Sequence, residues 1–198
     1  MQIKNYSLRY ADRVLAQNFD AEFSTQAINV ITGANGAGKT TLLDFIAGVG
    51  PKAAKGDKIN VPKQADIAYQ LQHIHFFTTL SVAQTITMYR QLGNPAIETE
   101  NTTFQIIKKR VLDNIWQVEM GKLSGGERQM VLTYGQCLLE KKLYIFDEPT
   151  SGVDIDNTKI ILSMIASLVQ DRQKLVVMTS HNLEQLAELP VHLITLGH

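Results

Sequence analysis

The loop GANGAGKTT, Gly33 to Thr41, fits the spacing Gly-x-x-x-x-Gly-Lys-Thr and follows the apolar run Ala27 to Ile31. A strand that stops at glycines and turns directly into a helix leaves backbone N–H groups without intrahelical partners, all facing one point beside the positive end of the helix dipole. Phosphate binds such a cradle. Gly33, Ala34, Asn35, Gly36, Ala37, Gly38, Lys39, Thr40 and Thr41 would form it. Glycine at 33, 36 and 38 permits positive φ and close backbone approach. Lys39 can reach β- and γ-phosphates as a mobile charge, and the Thr40 hydroxyl is placed to ligate a bridging Mg²⁺.

Asp147 and Glu148 close the apolar run LYIF, Leu143 to Phe146. Ligand chemistry in open α/β sheets gathers at the carboxyl ends of strands, and two adjacent acids there point in different directions. Asp147 is assigned to the metal and Glu148 to the base that orients and deprotonates an attacking water. LSGGE, Leu123 to Glu127, puts Ser124, Gly125 and Gly126 at the start of a further helix, a second anion-binding N-terminus by the same physics. Two such sites on one chain suggest a nucleotide held between two copies.

Positioning these groups takes strands alternating with helices, hence a mainly parallel α/β sheet. The opening segment alternates at Tyr6, Leu8, Tyr10 and again at Phe19, Ala21, Phe23, which reads as an antiparallel hairpin turning at Ala11-Asp12-Arg13. Ser81 with Gln84 makes a capping box for a helix carrying Val82, Ile86 and Tyr89, and a second helix carries Ile106, Ile107, Val111 and Ile115. These form a small helical lobe at about 78–122, inserted into a core of about 1–77 and 123–198. LYIF reads as a buried parallel strand. After it come a helix from Asp156 to Val169, a strand from Lys174 to Met178, an Asn182/Gln185 capping box opening a helix that Pro190 stops, and a strand from Val191 to Leu196.

The chain has 198 residues, 44% hydrophobic, enough for one domain with a good core. Lys plus Arg and Asp plus Glu are 19 each, so net charge is zero and a general nucleic-acid binder is disfavoured. Lys108, Lys109 and Arg110 read as a solvated helix face. The single cysteine, Cys137, excludes an intramolecular disulfide and reads as core. No apolar stretch approaches the roughly 20 residues that cross a bilayer, and the N-terminus lacks a signal-peptide pattern, so a cytosolic chain is expected.

Together these residues resemble the nucleotide-binding domain of ABC (ATP-binding cassette) proteins, in the family's order and over nearly the whole chain. GANGAGKTT resembles the family's phosphate loop, LSGGE its signature, and LYIFDEPT its metal-and-base strand. The resemblance implies a phosphate-loop NTPase core with an N-terminal antiparallel β subdomain and an inserted α-helical lobe. It also implies further roles. Gln72 resembles the glutamine linking Mg²⁺ and attacking water to the partner subunit, although Leu71 replaces a common proline and Gln70 is a competitor. Ser151 to Asp154 occupies the place of a loop crossing the dimer interface, His181 resembles the switch histidine contacting the γ-phosphate, and Tyr10 sits where an aromatic ring stacks on adenine; alternation alone would make Tyr10 a buried strand end.

The implied protein is the ATPase subunit of a membrane transporter, using ATP and Mg²⁺. Its partners would be a second nucleotide-binding subunit, in a homodimer or a heterodimer, and an integral membrane permease that holds it at the cytoplasmic face. The alternative is a soluble ABC ATPase of iron-sulfur assembly, DNA repair or translation. Gly152-Val153 and Tyr134-Gly135 depart from common family patterns, and the ending at His198 resembles a compact motor subunit without a regulatory extension. His73 and His75 could bind metal, but no third ligand is apparent. With Phe76 and Phe77 they are assigned instead to an exposed surface that receives a permease helix.

Overall fold

In a computed structural model of the chain, residues 1–10, 13–72 and 76–197 are described. Ala11 and Asp12 of the expected turn, and the segment His73, Ile74, His75, lie outside the described residues. Strands β1 (Gln2–Tyr10), β2 (Arg13–Glu22) and β4 (Ala54–Ile59) form an antiparallel sheet in the order β2-β1-β4. The hairpin pairs Gln2 with Glu22 and Tyr10 with Arg13. Strand β4, AKGDKI, is almost entirely exposed and carries no alternation of its own. Its strand conformation comes from pairing with β1, a tertiary effect that local pattern does not encode.

Strands β3 (Ile28–Thr32), β5 (Ile67–Gln70), β6 (Leu143–Phe146), β7 (Leu175–Thr179) and β8 (Val191–Thr195) form a parallel sheet in the order β5-β6-β7-β3-β8. Both faces are covered, which is why these strands read as continuous apolar runs. On β6 the side chains alternate between two cores. Tyr144 and Phe146 pack with helices α6 (Gly125–Leu138) and α7 (Ile155–Gln170), while Leu143 and Ile145 pack with helix α1 (Lys39–Ala47) and the antiparallel sheet. The Gly33–Thr41 loop and the Asp-Glu pair therefore leave one sheet at the carboxyl ends of β3 and β6, with β7 between them.

Between β5 and α6 the chain is helical: α2 (Val82–Leu92), α3 (Ile97–Glu100), α4 (Thr102–Ile107), a π-helical turn (Lys108–Leu112) and α5 (Asp113–Ile115). The Ser81/Gln84 capping box forms in full. The π turn moves the buried face: after Phe104 and Ile107 the next fully buried side chain is Leu112, with Val111 half-buried and Ile106 exposed. The expected stripe of Ile106, Ile107, Val111 and Ile115 assumed an uninterrupted α-helical period, and the wider turn shifts it by one residue.

Near the C-terminus the Asn182/Gln185 box does not form. Asn182 Oδ1 accepts from the Glu184 N–H at 3.2 Å, Gln185 instead accepts from Thr150 Oγ1 at 3.5 Å, and only a single 3₁₀ turn follows (Glu184–Leu186). A local side-chain turn wins over the longer helix.

Candidate active site

Glycine is required at two points of the loop. At Gly33, φ is +150° and an added Cβ would lie 2.4 Å from the Leu196 carbonyl oxygen; at Gly38, φ is +92° and a Cβ would lie 2.9 Å from Leu8 Cδ2. The loop is thus pressed against β8's exit on one side and β1 on the other. Gly38 caps α1 with no side-chain hydrogen bond, so the first-turn N–H groups have no side-chain acceptor of the usual capping kind. The Lys39 side chain folds back over the loop, and its Nζ donates to the Gly33 and Ala34 carbonyls at 3.0 and 3.1 Å. Lys39 is buried.

Thr40 Oγ1 donates to Asp147 Oδ2 at 2.8 Å, joining the first turn of α1 to the end of β6. Asp147 is buried, and its other oxygen, Oδ1, accepts from Thr179 Oγ1 at 2.6 Å. That same threonine oxygen accepts from the Glu148 backbone N–H at 2.8 Å. Thr179 thus fixes both acids from the end of β7, a role that sequence reasoning missed although the residue stands two before His181. Glu148 has φ +49°, a left-handed conformation that costs a non-glycine residue about 1–2 kcal/mol. The Thr179 bond helps hold it there.

Glu148 is clamped at both oxygens. His181 Nε2 lies 2.5 Å from Oε1, and Gln72 Nε2 donates to Oε2 at 2.9 Å. Gln70 goes elsewhere: it is 3% exposed, and its Nε2 donates to Thr133 Oγ1 at 3.0 Å. Of the two glutamines, Gln72 is the one at the acids. Gly36, Gly38, Lys39, Thr40, Gln72, Glu148 and His181 line one open cleft of about 590 Å³.

Asn35 and Thr41 line it too, whereas Tyr10, Ser124, Gly125, Gly126 and Asp154 lie outside it. Tyr10 is 76% exposed at the end of β1, so it is not a buried strand end. Ser124 accepts from the Glu127 N–H at 3.2 Å while Glu127 Oε2 accepts from the Ser124 N–H at 2.9 Å, a complete capping box at the start of α6. Asp154 caps α7, accepting from the Asn157 N–H at 2.9 Å, and that bond holds its carboxyl below the usual range. Asp154 also abuts the signature: a Cβ on Gly126 would lie 3.0 Å from Asp154 Oδ2. Ser124, Gly125 and Asp154 are exposed, and Gly126 is buried against Asp154. Phe77 is 67% exposed as expected, but Phe76 is not. Its ring is half-buried against the core and covered by the Arg128 guanidinium, 4.6 Å from the centroid.

The donor set suits Mg²⁺. Thr40 and Asp147 offer one hydroxyl and one carboxylate, hard oxygen ligands already side by side. Among the described residues no cluster of three or more His, Cys, Asp and Glu could hold a metal by itself. An ion here would take its remaining ligands from phosphate and water, as Mg²⁺ commonly does.

The family model described as ABC transporter matches residues 16–151. Among curated relatives, the molybdate import ATP-binding protein MolC of Haemophilus influenzae is 29% identical over 195 residues, covering 96% of this chain and 76% of the relative. The zinc import ATP-binding protein ZnuC of Saccharophagus degradans is 28% identical over 185 residues, covering 92% and 70%. Among solved structures, the dimeric bacterial ABC transporter cassette MJ0796 superposes with a TM-score of 0.75 at 18% identity, covering 99% of this chain and 94% of that one.

Proposed function

The chain belongs to the ABC transporter family, as an ATP-binding subunit, and from that premise we propose that two copies bind and hydrolyse ATP across a shared interface to drive a separate membrane permease. The observation that carries this is the circuit at the cleft: Thr40 to Asp147, Asp147 to Thr179, and Glu148 held between Gln72 and His181.

The triphosphate lies over Gly33 to Thr41, and Lys39 exchanges the Gly33 and Ala34 carbonyls for phosphate oxygens. Exposed Tyr10 offers its ring to the adenine. Thr40, Asp147 and Gln72 would hold Mg²⁺, which when bound neutralises charge on the β- and γ-phosphate oxygens. Water attacks the γ-phosphorus in line with the bond to the β-phosphate oxygen, and Glu148 takes the proton as that bond breaks. His181 and Gln72 orient the Glu148 carboxylate toward that water.

Ser124, Gly125, Gly126 and Asp154 serve the partner's nucleotide, which is why Ser124, Gly125 and Asp154 are exposed and none of the four lines the cleft. Their contacts exist only while the γ-phosphate is present, so ATP favours the closed dimer and hydrolysis removes the preference. The helical segment of about 78–122 acts as a lobe that runs directly into Ser124. Phe77 and Leu71, both exposed, supply apolar surface for a permease helix at the cytoplasmic face. Among the described residues no helix is long and apolar enough to cross a membrane.

Glu148→Gln preserves shape and loses the base. Turnover is expected to fall on the order of 10² to 10⁴-fold, with ATP-bound dimers accumulating on size exclusion. Normal turnover, or a chain that stays monomeric with ATP and magnesium, would overturn the proposal.

A further inference from the structure

Arg90, Lys108 and Lys109 line a cavity of about 530 Å³ in the helical segment, together with Glu98, Thr99 and Gln105. The lining holds three cations and one acid, and that acid is already taken. Glu98 is 7% exposed; its Oε2 accepts from Arg90 Nε, and its Oε1 accepts from Arg90 Nη2 at 3.0 Å and from the Tyr134 hydroxyl at 2.7 Å. The charge left over is positive. Among the described residues Arg90 Nη1 has no hydrogen-bond partner and Lys109 has no ion pair. Lys108 has an exposed pair with Asp113 at 3.5 Å, of a kind that contributes little.

The walls are built rather than loose. Glu98 grips the Arg90 guanidinium on two nitrogens, and the guanidinium lies over the Trp116 ring, 5.2 Å from its centroid. A ligand meeting Nη1 would find a donor whose side-chain entropy is already spent. The π turn Lys108–Leu112 brings two successive lysines, Lys108 and Lys109, to one cavity, and such turns recur at functional sites. Opposite them Gln105 Nε2 donates to the Thr99 carbonyl and ties α4 to α3. The volume falls within the range of small-molecule sites. None of the six lining residues lines the cleft at Glu148, so this is a separate place on the chain.

We propose that this cavity is a second anion site, taking a phosphomonoester through Arg90, Lys108 and Lys109. A dianionic phosphate matches the surplus of positive charge, and its terminal oxygens can accept from a guanidinium and two ammonium groups at once. Thr99 and Gln105 offer neutral polar groups to the body that carries the phosphate. A soluble metabolite and a lipid headgroup present the same group, and the test separates them. Glu98 bonds to Tyr134 of α6, so a ligand on Arg90 would stand two links from the helix that opens at Ser124.

Trp116 is the chain's single tryptophan, with Arg90 and Lys108 at 5.2 and 5.7 Å from its ring centroid, so its emission reports on the cavity. Titration with glycerol 3-phosphate at constant ionic strength is expected to shift that emission saturably, with half the effect at about 1 mM or below. Vesicles of phosphatidylcholine containing phosphatidic acid form the second arm. A shift with glycerol 3-phosphate identifies a soluble ligand, and a shift with the vesicles alone identifies a headgroup. Lys109→Gln, an exposed change, is expected to keep the melting temperature and to weaken the response roughly three- to tenfold, and Lys108→Gln/Lys109→Gln to weaken it by more than about tenfold.

Lys39→Ala is expected to keep the shift, because the phosphate loop is not what Trp116 reads. No shift with either probe overturns the site. So does a shift that sodium chloride reproduces, one that the double lysine variant retains, or one that Lys39→Ala abolishes. The titration needs no nucleotide, and it stands apart from the ATPase reading: a chain that fails to bind ATP and still answers glycerol 3-phosphate sinks the functional proposal and leaves this one in place.

Discussion

Two glycine-rich helix starts, at Gly38 and at Ser124, obey the same electrostatics and are finished differently. At α1 the cap is a left-handed glycine without a side-chain bond, and beside it lies a cleft with Lys39, Thr40 and Glu148 around it. At α6 a serine and a glutamate close a reciprocal box, and the first turn lies on an open edge beside Asp154. The box satisfies the Ser124 and Glu127 N–H groups and leaves that of the exposed Gly125 for an outside acceptor. On the proposed function, one end is a site in itself and the other is half of a site, with the chemistry to be completed from a second molecule.

The contrast breaks most readily at Lys39. Replacing Lys39 by Ala removes charge-assisted bonds worth about 1.5–3 kcal/mol, so ATP affinity by titration is expected to fall roughly 10- to 100-fold. Unchanged affinity would mean that the α1 end does not hold the phosphates. Gly38→Ala asks whether the glycine is structural: with φ +92° and Leu8 Cδ2 at 2.9 Å, a loss of about 1–3 kcal/mol in denaturant unfolding is expected. Ser124→Ala removes half of the box and should cost about 1 kcal/mol, lowering ATP-dependent dimerisation while leaving nucleotide binding to the single chain intact. Weaker binding by the isolated chain would erase the distinction between the two ends. Gly125→Ala sharpens it from the other side. A Cβ at Gly125 meets nothing within 4 Å, so stability should change by less than about 0.5 kcal/mol.

The α1 end was legible because its chemistry is written locally: glycines, lysine and threonine stand consecutively, and LYIFDE carries both buried strand and acids in one run. Choosing between Gln70 and Gln72 was not possible from spacing. Side chains two apart on a strand share a face, and only the strand's end at Gln70 frees Gln72 to turn toward Glu148. Thr179 went unread because it acts through hydrogen bonds to two residues distant in sequence. Strand β4 depends on its neighbour, and the π turn at Lys108–Leu112 is a change of period that a fixed helical template cannot register. Phe76 was expected to be exposed beside Phe77, and its cover, Arg128, comes from a helix that follows it by some fifty positions.

The folded-back lysine has a consequence for selectivity. With its ammonium seated on two peptide oxygens, the loop gains little from a weak, singly charged ion, which must outcompete those partners. A polyphosphate tail engages the backbone donors and the lysine in one event, and so can displace what a lone anion leaves undisturbed.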